Sequence, residues 1–131
     1  MDLHTGSMTV VNAGHPLPYL VRDGRVSEID LSVDMPFGLY AGRDLLVRRL
    51  QLEPGDRIVL VTDGMLERNA EDLDLPGMLS REARMHPREM VYELAETVLD
   101  ATGGDLHDDA TVLCLDWRGG PGDADRPDRE E

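Results

Sequence analysis

The sequence predicts an α+β domain in which helices cover a mostly antiparallel sheet, and three observations carry that prediction. An Asp-Gly pair at 23–24 separates the runs LPYLVR (17–22) and RVSEI (25–29). This is a hairpin pattern, because both residues of the tight turn must reach positive φ. The run RIVLV at 57–61 is nearly continuous in apolar residues, which predicts a strand buried on both faces. Finally, Met90, Val91, Leu94, Ala95, Val98 and Leu99 recur at helical spacing. They predict a helix over 87–102 with one apolar stripe.

The remaining elements follow in order. Residues 8–12 (MTVVN) are apolar and β-branched and read as a strand, which Ala13-Gly14-His15-Pro16 interrupts. Residues 34–41, with Pro36 and Gly38, read as a loop. Residues 45–52 (LLVRRLQL) are a further strand, closed by the turn Glu53-Pro54-Gly55-Asp56. Thr62-Asp63-Gly64 ends the 57–61 strand, and a short helix is expected over 65–69. Pro87 suits the first turn of the long helix, and Gly103-Gly104 stops it. After the acidic loop 105–109, residues 110–115 (ATVLCL) read as a final core strand, too apolar for an edge. From 118 onward the chain is Gly, Pro, Ala, Asp, Arg and Glu. Residues 118–131 are therefore expected to form a disordered acidic tail.

Composition narrows the function. The chain has 131 residues, enough for one domain, and its formal net charge is −14 with every basic residue an arginine. Such a charge argues against nucleic acid or an anionic membrane as partner. No apolar stretch approaches transmembrane length. The single cysteine, Cys114, sits within an apolar run and reads as a small buried hydrophobe of a reducing compartment. A cytoplasmic location is the expectation.

Two places bring carboxylates to the end of a predicted core strand: Asp63, and the Asp108-Asp109 pair. A carboxylate there can face a cleft while its backbone is held rigidly, and hard cations such as Mg²⁺ and Mn²⁺ prefer such oxygen ligands. Gly64 would let the chain turn sharply after the ligand. Taken singly, each motif is also what an ordinary turn or a solvated loop looks like. His15 reads as a turn-stabilising residue, and Glu67 as part of a solvated helix face.

Three ordered segments carry more information. They are Val11-Asn12-Ala13-Gly14-His15-Pro16-Leu17-Pro18, the long run from Leu52 to Glu67 (LEPGDRIVLVTDGMLE), and Asp108-Asp109-Ala110-Thr111-Val112. Together they resemble the SpoIIE-like (RsbU-like) branch of PPM-type metal-dependent protein serine/threonine phosphatases. The resemblance implies that residues 1–117 are the C-terminal portion of an αββα sandwich. It implies a two-metal centre of Mn²⁺ or Mg²⁺, with a metal-bridging water attacking a phosphoserine or phosphothreonine. Asp63 and Asp108 correspond to the family's late metal ligands, with Asp109 the alternative to Asp108 and Gly64 a supporting residue.

The implied substrate is a phosphorylated regulatory protein such as an anti-anti-sigma factor. The family's opening segment, with an early Asp and an Asp-Gly pair, has no counterpart here. Two aspartates cannot fill the roughly six-oxygen shells of two cations. The alternative expectation is thus a catalytically incomplete remnant acting as a binding or complementing module. An exposed sheet would then pair with a missing N-terminal half or with a second copy of the chain. A general acidic cation-binding domain without a reaction is a third reading.

Overall fold

The computed structural model describes residues 1–36, 38, 44–66, 73–104 and 109–121. Strands β1 (Ser7–Val11), β2 (Tyr19–Arg22), β3 (Arg25–Glu28), β4 (Val47–Gln51) and β5 (Arg57–Val61) come first. A short 3-10 turn (Asp63–Leu66), helices α1 (Leu75–Arg81) and α2 (Pro87–Ala101), and strand β6 (Val112–Asp116) complete the order. The strands form two antiparallel sheets, one of order β1-β4 and one of order β3-β2-β5-β6.

β5 is the centre of the larger sheet, and its pleat divides the core. Val59 and Val61 face α1 and α2, where they meet Leu75, Met78, Leu79, Met90, Leu94 and Val98. Ile58 faces the other way and clusters with Ile29, Leu31, Leu52 and Trp117 against Met8, Val10 and Leu50 of the two-stranded sheet. The layers are therefore helices, larger sheet, smaller sheet. The expected burial of β5 on both faces is observed, with Ile58, Val59 and Val61 all nearly inaccessible. Each such side chain contributes about 1.5–3 kcal/mol. The 23–24 hairpin is also as expected: Asp23 and Gly24 have φ of 50° and 72°, and Arg22 lies opposite Arg25.

Two features depart from expectation. α1 is absent from the sequence reading. Yet Leu75, Met78 and Leu79 have helical spacing, Pro76 lies in the first turn, and the Asp74 side chain caps the helix by accepting the Gly77 N–H at 3.0 Å. The final strand, read as fully buried over 110–115, runs from Val112 to Asp116 at an edge of the larger sheet among the described residues. Leu113 lies opposite Leu60 in register and remains 54% exposed, because the two-stranded sheet does not extend over it. In the proposed tail, Gly120 is buried against the backbone of His4, while residues 122–131 lie outside the described residues. The short helix expected over 65–69 falls partly outside them too.

Two buried ion pairs hold the end of the larger sheet where β5 begins. Arg57, 4% exposed, donates from Nε to Asp116 Oδ1 at 2.6 Å and from Nη2 to Asp116 Oδ2 at 2.9 Å. Its remaining N–H groups reach the carbonyls of Met85 (2.6 Å) and Glu82 (3.3 Å). The α1–α2 connection is thereby fastened to the sheet. Asp56, 1% exposed, accepts both Nε (2.8 Å) and Nη2 (2.6 Å) of Arg22, together with the Glu53 N–H at 2.7 Å. It fastens the 53–56 turn to the hairpin.

Asp116→Ala leaves the Arg57 guanidinium buried without its counter-ion. The expected cost is about 3 kcal/mol in a denaturant titration, while the double variant Arg57→Met/Asp116→Leu recovers most of it. Glu82 behaves differently. Its Oε2 is buried without a partner among the described residues. Burial pushes its carboxyl above the usual range, Glu93 adds to this, and Arg81 partly offsets it. An acid with a raised folded pKa favours the fold while protonated, and that contribution is lost as pH rises through the folded value. Glu82→Gln should therefore raise Tm at pH 7, with the gain vanishing as pH falls below the ordinary glutamate range.

Candidate metal centre

Antiparallel pairing decides what lies at the far end of β5. β5 leaves the sheet where β6 enters it, since Val61 pairs with Val112. β2 enters at the same end, since Tyr19 pairs with Val59. The Thr62-Asp63-Gly64 turn, the Asp109–Thr111 backbone and the Asn12–Pro18 segment therefore gather at one edge of the sandwich.

The first two are joined by hydrogen bonds. The Thr62 N–H donates to the Thr111 carbonyl at 3.0 Å, and the Thr111 N–H donates to Thr62 Oγ1 at 2.8 Å. The same hydroxyl lies 3.3 Å from the Asp109 carbonyl, within donating distance. Asp63 then opens the 3-10 turn, in which the Met65 N–H returns to the Thr62 carbonyl at 2.9 Å. Met65 is buried in the helix-side core and anchors the turn. Gly64 packs backbone to backbone, for a Cβ there would stand 2.5 Å from the Asp109 carbonyl oxygen. Asp63 and Asp109 are both exposed, so their carboxylates occupy the rim while the backbone beneath them is buried at Gly64.

Of the residues expected at a metal site, Asp63, Gly64 and Asp109 are thus brought together. Asp108, like Glu67 and His107, lies outside the described residues. Carboxylate oxygens are the donors that Mg²⁺ and Mn²⁺ favour. Among the described residues, however, no group of three or more His, Cys, Asp or Glu could hold an ion. Asp63 and Asp109 supply two exposed carboxylates at that edge. Sequence reasoning gave Thr62 no role of its own, although its hydroxyl is the tie between the two acidic motifs. A hydroxyl residue directly after a buried strand was the signal available.

The Asn12–Pro18 turn is organised chiefly by Asn12, which is buried. Its Nδ2 donates to the His15 carbonyl and its Oδ1 accepts the His15 N–H, both at 2.8 Å. His15 adds one bond, between Nδ1 and the Pro16 carbonyl at 2.9 Å. A carbonyl can only accept, so Nδ1 carries the proton. The turn-stabilising role expected of His15 is real, but Asn12 has the larger share.

The close approach at Gly64 generates a stability test. Gly64→Ala should cost roughly 1–3 kcal/mol through overpacking, read as a lower midpoint in urea in metal-free buffer. Unchanged stability would mean that the two backbones do not meet.

Comparison with known proteins identifies the family. The family model for Stage II sporulation protein E (SpoIIE) matches residues 1–118. Stage II sporulation protein E of Bacillus subtilis (strain 168) is 27% identical over 121 residues, covering 88% of this chain and 14% of that protein. The crystal structure of the RsbU and RsbW domains of Rv1364c from Mycobacterium tuberculosis superposes with a TM-score of 0.75 at 27% identity. That match covers 92% of this chain and 35% of the other. The phosphatase domain of the cell fate determinant SpoIIE from Bacillus subtilis, Mn presoaked, has a TM-score of 0.67 at 24% identity, covering 92% of this chain and 54% of that one. The chain thus spans about half of that phosphatase domain and a small part of the whole relative. The expected PPM-type fold agrees with these neighbours, and the chain belongs to the SpoIIE family.

Proposed function

We propose that this chain supplies one portion of a metal-dependent phosphoprotein phosphatase centre, with Asp63 and one of Asp108 or Asp109 as metal ligands. The observation that carries the proposal is the Thr62–Thr111 junction, which couples the two acidic motifs at one sheet edge. A carboxylate on a rigid backbone loses little freedom when it takes a ligand, so this junction is suited to a precise metal geometry. Bound Mn²⁺ or Mg²⁺ would supply a nucleophile at neutral pH and neutralise charge on the phosphoryl oxygens. Asp63 and its neighbour hold their oxygens at the rim, open to a large protein substrate. Gly64 keeps the floor closed, so water reaches the site from the rim side.

The substrate in this reading is a phosphorylated regulatory protein, such as an anti-anti-sigma factor, met in the cytoplasm. No described helix is long and apolar enough to cross a membrane. The remaining metal ligands come from the family's N-terminal half, or from a second copy through an exposed sheet. A second reading, a non-catalytic module that binds or completes another polypeptide, is supported by the chain's covering only 54% of the phosphatase domain it resembles.

A Mn²⁺ titration with p-nitrophenyl phosphate separates the two. Alone, the chain should turn over slowly or not at all, and adding a family N-terminal half should restore Mn²⁺-dependent hydrolysis. In the restored assembly, Asp63→Asn should lower kcat by about 100-fold, or ~2.7 kcal/mol of barrier. Comparing Asp108→Asn with Asp109→Asn assigns the second ligand. Robust turnover by the isolated chain that Asp63→Asn abolishes would refute the shared shell. Turnover that survives every one of these substitutions would refute the metal assignment.

A further inference from the structure

The chemistry where β5 begins is unlike that at Asp63. An open cavity of about 500 Å³ lies there, between the last turn of α1, the α1–α2 connection and the β2–β3 hairpin. Arg57 forms part of its lining, Arg81 and Arg84 line it from the helical side, and Asp23 is its one carboxylate. The lining segments are held in fixed relation to one another. The Ser80 hydroxyl donates to the Gly24 carbonyl at 2.7 Å, joining α1 to the hairpin. Arg57 joins the α1–α2 connection to the sheet through the Glu82 and Met85 carbonyls.

The three arginines are not equivalent. Arg57 is neutralised by Asp116. Arg81 and Arg84 are exposed, and neither lies within ion-pair distance of a carboxylate among the described residues. Two exposed arginines thus line one cavity in a chain of net charge −14, Arg81 also acting on the Glu82 carboxyl beside it. Arg81, in the last turn of α1, gains from the negative end of that helix. Arg84 lies beyond the helix and has no such compensation. A guanidinium presents a planar fork that meets an oxyanion through two parallel hydrogen bonds. One fork balances a carboxylate, whereas two forks balance a phosphate dianion.

We propose that this cavity binds a phosphate-type oxyanion between Arg81 and Arg84. The site is distinct from the acidic rim, being separated from it by the length of β5, roughly 17 Å for a five-residue strand. It requires no metal and does not depend on the phosphatase reading.

The test is an NMR titration of the full chain with inorganic phosphate in EDTA, which removes any divalent cation that could itself hold phosphate. Saturable shifts are expected at the Gly24, Gly55 and Ser80 amides and at the Nε–H signals of Arg81 and Arg84. Arg81→Gln and Arg84→Gln, both at exposed positions, should each weaken binding at least about tenfold, and Asp23→Asn should tighten it. Arg49→Gln, an exposed arginine outside the cavity, should change nothing, and acetate at equal ionic strength should not compete. The proposal is overturned if the shifts do not saturate, if Arg49→Gln weakens binding as much as Arg84→Gln, or if acetate competes as well as phosphate.

Discussion

The guanidinium of Arg57 is the group on which the arrangement of layers depends. It stands at the start of the central strand, almost fully removed from water, and its donors are shared between two directions. Across the sheet it meets the Asp116 carboxylate, its partner in register, and so holds the last strand to the centre. Toward the helices it meets two backbone carbonyls between α1 and α2. An isolated charge at this depth would be costly. While Arg57 is present its charge is satisfied only when strand and helix connection are both in place, which couples formation of the helical layer to closure of the sheet. Asp56 and Arg22 repeat the device for the hairpin and the turn before β5. Both ends of that pair also lie at the start of the central strand.

The acidic rim sits at the opposite end of the strand. The coupling there is made by neutral bonds, Thr62 with Thr111 and Asp109, and by the absence of a side chain at Gly64. Among the described residues, salt bridges secure the end of β5 where it begins, and the Thr62 hydroxyl and the bare Gly64 backbone join the two strands where it ends.

Much of this could be read from the sequence, and the reasons differ by element. The 23–24 hairpin was legible because its turn geometry admits few residues, and Asp-Gly is one of them. β5 and α2 were legible because they are long and strongly patterned. The acidic rim was legible as two motifs, but their junction was not, since contact between residues 62 and 111 follows from strand order and not from local pattern. β6 misled for a related reason. Its apolar run says that the residues avoid water, while its place at an edge follows from the strand order. Arg57 was hidden by its neighbours, because a single arginine at the start of RIVLV reads as a boundary residue and its partner lies 59 positions later. α1 is seven residues long, and a helix that short offers barely two turns of periodicity.

The placement of β6 also bears on how the molecule behaves in company. A strand at a sheet edge offers a row of unpaired amides and carbonyls on which another chain can add a strand. Among the described residues β6 has a neighbouring strand on one side only, and its exposed Leu113 would give an incoming chain an apolar grip. What opposes such growth is long-range: at a net charge of −14, copies repel one another before their edges can meet. The repulsion reaches about 10 Å at 0.1 M salt and about 3 Å at 1 M. Raising the salt concentration therefore weakens the repulsion that keeps two such edges apart.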